Sequence, residues 1–153
     1  TAIISIVGQN FGAKEYLRVK QSYYQAITYG TILMIIAGLI IFFSADKIVS
    51  IFTNNVVVIN YGTIYLKISA LIFPAYPIYF ISNGFFMALK KASYAMNLNI
   101  IRNVLIPIPT ILFANYIGGS YKNFFWSYCL FNWIFVALLL TFVSIYIKNK
   151  LHS

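Results

Sequence analysis

The chain has 153 residues, 61% of them hydrophobic and only 8% charged, against about a quarter charged in an average soluble protein. Eleven Lys and Arg oppose two Asp and Glu, for a net charge of +9. That composition excludes an ordinary soluble domain. The basic residues sit at the ends of apolar runs, so they point to anionic headgroups and a positive-inside bias and exclude nucleic acid as a partner.

In chain order, residues 1–9 read as the last turns of a membrane span. The chain is therefore expected to be a C-terminal fragment of a longer membrane protein. A basic loop is expected over 10–20. From Gln21 to Ala45 runs a stretch of 25 residues without a charge, enough to cross the roughly 30 Å hydrocarbon core as a helix. The first full span is placed at 22–44, with a boundary at Asp46-Lys47. Residues 48–66 carry Asn54, Asn55, Asn60 and Gly62 and read as a short turn and an interfacial helix. The second span is expected at 66–89, with Pro74 and Pro77 inside it, and the third at 94–117, with Arg102, Pro107 and Pro109. Residues 118–123 form a turn-rich loop. Asn123 to Ile147 is a second uncharged run of 25 residues, giving a fourth span at 124–147 and a tail at 148–153. The expected fold is all-α, a polytopic bundle of four full spans plus the end of a preceding one.

Basic residues counted on alternate sides give seven on one (Lys14, Arg18, Lys20, Lys90, Lys91, Lys148 and Lys150). Arg102 makes eight if it snorkels to the same side. Lys47, Lys67 and Lys122 make three on the other. This places loops 10–20 and 90–93 and the C-terminus in the cytoplasm.

Chemistry-bearing residues are sparse. Both acids, Glu15 and Asp46, lie at span boundaries. There is no carboxylate pair, no Ser/His/Asp set and no phosphate-binding glycine loop. A lone Cys129 in an apolar run reads as a buried packing residue, and a lone His152 as a solvated tail residue. One Cys and one His make no zinc site. The chain is thus not expected to be an enzyme, nor to hold a metal or cofactor. Pro74, Pro77, Pro107 and Pro109 each remove a helix donor and are expected to bend their spans, as hinges or as ordinary membrane-helix prolines. After Pro74, the spacing of Tyr76, Tyr79 and Asn83 puts them on one helical face. That face either lines a polar, aromatic cavity or makes interhelical hydrogen bonds. Arg102 with Asn103 either faces a central cavity or anchors the third span at the headgroups, the favoured reading. Tyr23, Tyr24, Tyr121, Trp126 and Tyr128, near span ends, read as interfacial belts.

The most specific string is Val7-Gly8-Gln9-Asn10-Phe11-Gly12-Ala13-Lys14, followed by Arg18. Gly8 and Gly12 permit close approach or a left-handed helix end. Gln9 and Asn10 can bond its orphan carbonyls, and Lys14 and Arg18 can share one face toward phosphates. The string resembles the loop after the eighth span in the multidrug and toxic compound extrusion (MATE) family, where a Gly-Gln-Asn-x-Gly-Ala stretch precedes an Arg. Phe52-Thr53 and Tyr65-Leu66 resemble the junction of the ninth and tenth spans, Asn83-Gly84 before Lys90-Lys91 the end of the tenth, and Arg102 with Pro107 the eleventh.

The resemblance implies the C-terminal part of the second six-helix lobe of a two-lobe, twelve-helix transporter. It implies secondary active export of small organic cations or amphipathic drugs against protons or sodium, in the inner membrane of a bacterium. Membrane lipids and the transporter's N-terminal lobe would be its partners, and the piece alone would not transport. Some members carry a coupling acid in the tenth span; the best-matching position here is near the neutral Asn83. Alternatives are a lipid-linked oligosaccharide flippase of the same superfamily, a structural membrane subunit, or a remnant of a broken gene.

Overall fold

A computed structural model describes residues 2–150, and within them every regular element is helical. The elements are α1 (Ala2–Gly12), α2 (Tyr16–Ser50), α3 (Val56–Ile72), α4 (Ala75–Ala88), α5 (Ala92–Ile100), a π-helical turn (Ile101–Leu105), α6 (Pro107–Tyr116) and α7 (Tyr121–Lys150). In hydrocarbon each backbone polar group needs a partner within the protein, and a helix supplies one locally. Three helical stretches are long and apolar enough to cross a bilayer: α2, the run Ala92–Tyr116, and α7. The pair α3–α4, bent by 48° at its junction, makes a fourth. The chain is thus an integral membrane bundle. Leu33, Phe43 and Leu138 on its outside are 62%, 76% and 66% exposed, which suits contact with lipid and would be costly in water.

Span boundaries differ from the sequence reading. Only residues 13–15 lie between α1 and α2, so most of the expected 10–20 loop is helix. Asp46 and Lys47 lie inside α2, which at 35 residues is about 52 Å long and outruns the hydrocarbon. No separate interfacial helix occupies 48–66, because α3 runs unbroken from Val56 into the membrane. The asparagines there start this helix: Asn55 caps it, its side-chain oxygen accepting from the N–H of Val57 at 2.9 Å. Gly62 lets α3 approach α2, since a Cβ there would lie 2.9 Å from Val49 Cγ1.

The prolines act unequally. Pro74 stands at the break between α3 and α4, and Pro107 opens α6 directly after the π turn. Pro77 and Pro109 fall within the first turns of α4 and α6, where a missing N–H costs nothing, and neither adds a bend. The carbonyls near the Pro74 break find other donors. Ala70 O takes the N–H of Phe73 at 3.3 Å, and Trp133 of α7 donates its indole N–H to Leu71 O at 3.2 Å.

Three helix ends share one cap, a bond from a backbone N–H to the carbonyl five residues back: Glu15 to Asn10, Lys91 to Phe86, and Gly119 to Ala114. The left-handed position of the first two is taken by a lysine, Lys14 (φ 60°) and Lys90 (φ 58°). Gly12, expected there, is helical, and the orphan carbonyls are met by backbone rather than by Gln9 or Asn10. Asn10 donates instead to Ile6 O, one turn inside α1, at 2.9 Å. An L side chain in this conformation costs about 1–2 kcal/mol. Lys90→Gly is therefore expected to stabilise the protein by about 1 kcal/mol and raise its melting temperature in detergent by about 2–4 °C.

The core centres on α4, which packs against α1, α2, α5 and α7. Phe85 and Phe86 are fully buried there with Val7, Val19 and Val143. Tyr23, expected in an interfacial belt, is fully buried too, its hydroxyl 2.8 Å from that of Ser82 across the α2–α4 contact. Cys129 is buried and free, as its apolar setting implies. His152 lies outside the described residues.

Candidate functional site

The two irregular spans meet along α4 and the α5–π–α6 run. Pro107 has no N–H for the carbonyl of Asn103, four residues back. The helix responds with a π turn, in which Ile106 N–H reaches Ile101 O at 2.9 Å. A π turn adds a residue to the helical repeat and re-aims the side chains on it, which is why such turns recur at functional sites. Arg102 is on this turn.

Arg102 is ten residues past the start of α5, about 15 Å along the axis, roughly half the depth of the hydrocarbon. Its guanidinium carbon lies 4.1 Å from the centre of the Tyr79 ring, 4.9 Å from Tyr76 and 5.3 Å from Phe80. This replaces the headgroup-anchoring reading: the side chain is too short to bridge that depth, and it turns onto three rings of α4. Cation–π contact of this kind is worth about 0.5–2 kcal/mol per ring. Among the described residues no carboxylate pairs with it; Glu15 sits in the turn before α2 and Asp46 near that helix's end. Asn103 is exposed beside it.

The expected shared face of α4 exists. Tyr76 and Tyr79 lie under Arg102, while Tyr79 and Asn83 bind α5. The Tyr79 hydroxyl donates to Asn99 Oδ1. Asn83 and Asn99 both donate through Nδ2 to the carbonyl of Ala95, at 3.1 and 2.8 Å. The polar atoms of this face join helices, and Asn83 also borders a cleft of about 460 Å³ with Asn99, Met87 and Val104. Asn99 and Phe80 were not singled out from sequence. A signal for the first lies in the three-residue spacing between Asn99 and Arg102, which aligns them on one face.

The motif residues Gly8, Gln9, Asn10, Gly12, Ala13 and Arg18 lie apart from this site, at the α1–α2 turn. A Cβ on Gly12 would meet nothing, and one on Gly8 only the Ala88 carbonyl at 3.9 Å. Lys14, which is left-handed before α2 begins, shares no helical face with Arg18. No group of His, Cys, Asp and Glu among the described residues could hold a metal ion.

Among known protein families, the MatE model matches residues 1–117. A search of curated proteins returned no match.

Proposed function

The chain belongs to the MatE family of membrane transporters, and from that premise we propose that it is the C-terminal part of the second six-helix lobe of a secondary active exporter of cationic or amphipathic compounds. The observation that carries this reading is the pairing of two irregular spans. One is bent by 48° at Pro74, the other holds a π turn before Pro107, and their polar and aromatic groups meet at mid-depth. Broken helices that present such groups near the midplane are how transporters build substrate sites. Tyr76, Tyr79, Asn83 and Arg102 are then cavity wall, and the N-terminal lobe supplies the opposite side.

Coupling to protons or sodium needs a titratable or ligating acid, and Asn83 is neutral. We assign that role to an acid of the N-terminal lobe. Seven basic residues, with Arg102 removed from the count, against three favour cytoplasmic placement of the 13–15 and 89–91 turns and of the C-terminus, in the inner membrane of a bacterium.

In everted vesicles carrying the transporter that contains this chain, an imposed proton or sodium gradient is expected to drive accumulation of amphipathic dyes. Indifference to both gradients would overturn the reading. Asn83→Leu there is expected to change the relative transport of several dyes while insertion is unaffected, since it removes one interhelical hydrogen bond worth about 0.6 kcal/mol. Identical efflux of every dye would remove Asn83 from the cavity.

A further inference from the structure

Arg102 presents a charge without a partner. Its faces are taken by the rings of Tyr79, Tyr76 and Phe80, which leaves the N–H edge of the guanidinium. That edge matches a carboxylate in shape and can bind it through two parallel hydrogen bonds. An unpaired cation at mid-depth is costly, and among the described residues no acid neutralises it. A visiting cation meets the opposite situation: the aromatic faces that would attract it are already covered, and a fixed positive charge stands in its way.

Next to this charge lies an apolar groove of about 520 Å³, lined by Gly30, Leu33, Met34, Phe73, Tyr76, Pro77 and Phe80. Its size is that of a small-molecule pocket. Two of its walls, Tyr76 and Phe80, are rings of the Arg102 cage. A charged end and an apolar trough therefore adjoin in one place. The bilayer's own lipids do not fit as well, because their headgroups sit at the interface, about 15 Å from the depth of Arg102.

We propose that Arg102 and this groove bind a carboxylate-bearing amphiphile as cargo, its acid group on the guanidinium edge and its apolar body against Tyr76 and Phe80. The proposal rests on the exporter reading for the word cargo, and it narrows the substrate class at that site to acidic amphiphiles.

The test uses the 153-residue chain in nanodiscs of phosphatidylcholine, with dansyl-aminoundecanoic acid as fluorescent probe, its methyl ester, and an amine of the same length. The acid is expected to bind the unaltered chain about tenfold tighter than the ester or the amine. R102Q is expected to erase that preference and R102K to keep part of it, since lysine retains the charge without the planar edge. Ester or amine binding as tightly as the acid overturns the proposal, and that comparison needs only the unaltered chain, so it stands even if R102Q fails to fold. Displacement of the acid by added phosphatidylglycerol also overturns it, by giving the guanidinium to bilayer lipid. Gradient-independent dye transport together with an intact acid preference would sink the exporter reading and leave the site.

Discussion

Gly38→Leu is expected to prevent the chain from forming a stable bundle. The reason begins at Pro74, which has no N–H for the carbonyl of Ala70. That carbonyl, held by only a 3.3 Å bond from Phe73, faces α2 at Gly38, where an added Cβ would sit 2.9 Å from it. The obstructing atom is backbone, fixed by the bend, and cannot swing away. Small residues at such crossings let membrane helices pack at close range, where van der Waals contact replaces the hydrophobic drive that lipid removes. Gly38→Ala is expected to cost about 1–3 kcal/mol by overpacking, and Leu more than the crossing can absorb. Gly84 makes the contrast. Its added Cβ would meet Ile3 Cγ2 at 2.7 Å, a side-chain methyl that can rotate, so Gly84→Ala is expected to cost less than Gly38→Ala. Thermal unfolding in detergent, followed by tryptophan fluorescence and size-exclusion chromatography, orders the three. A monodisperse Gly38→Leu protein with unchanged melting would show that α2 and α3 do not cross at this point.

The long uncharged runs made the spans legible, because lipid demands about 20 apolar residues and nothing in a small soluble domain does. Turn positions were less so. Asn54, Asn55, Asn60 and Gly62 are the residues of a loop by composition, yet Asn55 caps a helix and Gly62 serves a close crossing. Composition does not distinguish a cap from a turn, since both use the same side-chain acceptor. Lys14 and Lys90 in left-handed backbone were invisible for the complementary reason: the cap is made by main-chain bonds, and lysine is an unfavoured residue there.

The site was half legible. Three- and four-residue spacing placed Tyr76, Tyr79 and Asn83 on one face. It could not tell that Arg102 would turn inward, because that depends on rings twenty-odd residues earlier in the chain. Tyr23 was misread as an interfacial residue from its position near a span end; its partner Ser82 lies on another helix, and only tertiary packing pairs them.

Pro107→Ala is expected to separate stability from function at this site. Alanine restores the N–H that Asn103 O lacks, so the π turn can relax to α-helix. Removing its extra residue rotates one flank against the other by about 100°. In helix propensity alone the change favours folding by up to about 3 kcal/mol. The rotation moves the Arg102 guanidinium off Tyr79, at a cost of about 0.5–2 kcal/mol for each ring it leaves. The sum leaves the melting temperature unchanged or higher. Hydrogen exchange reads the first effect: amides over 101–106 are expected to exchange about tenfold more slowly, as poor π bonds become ordinary α-helical ones. Transport reads the second, and amphiphile efflux by the parent transporter is expected to fall although the protein is no less stable. A cavity wall needs its charge in one place, and the proline holds it there by denying the helix its regular hydrogen bond. Unchanged exchange over 101–106 would show that Pro107 does not hold the π turn. Slower exchange with undiminished efflux would show that transport is indifferent to where Arg102 points.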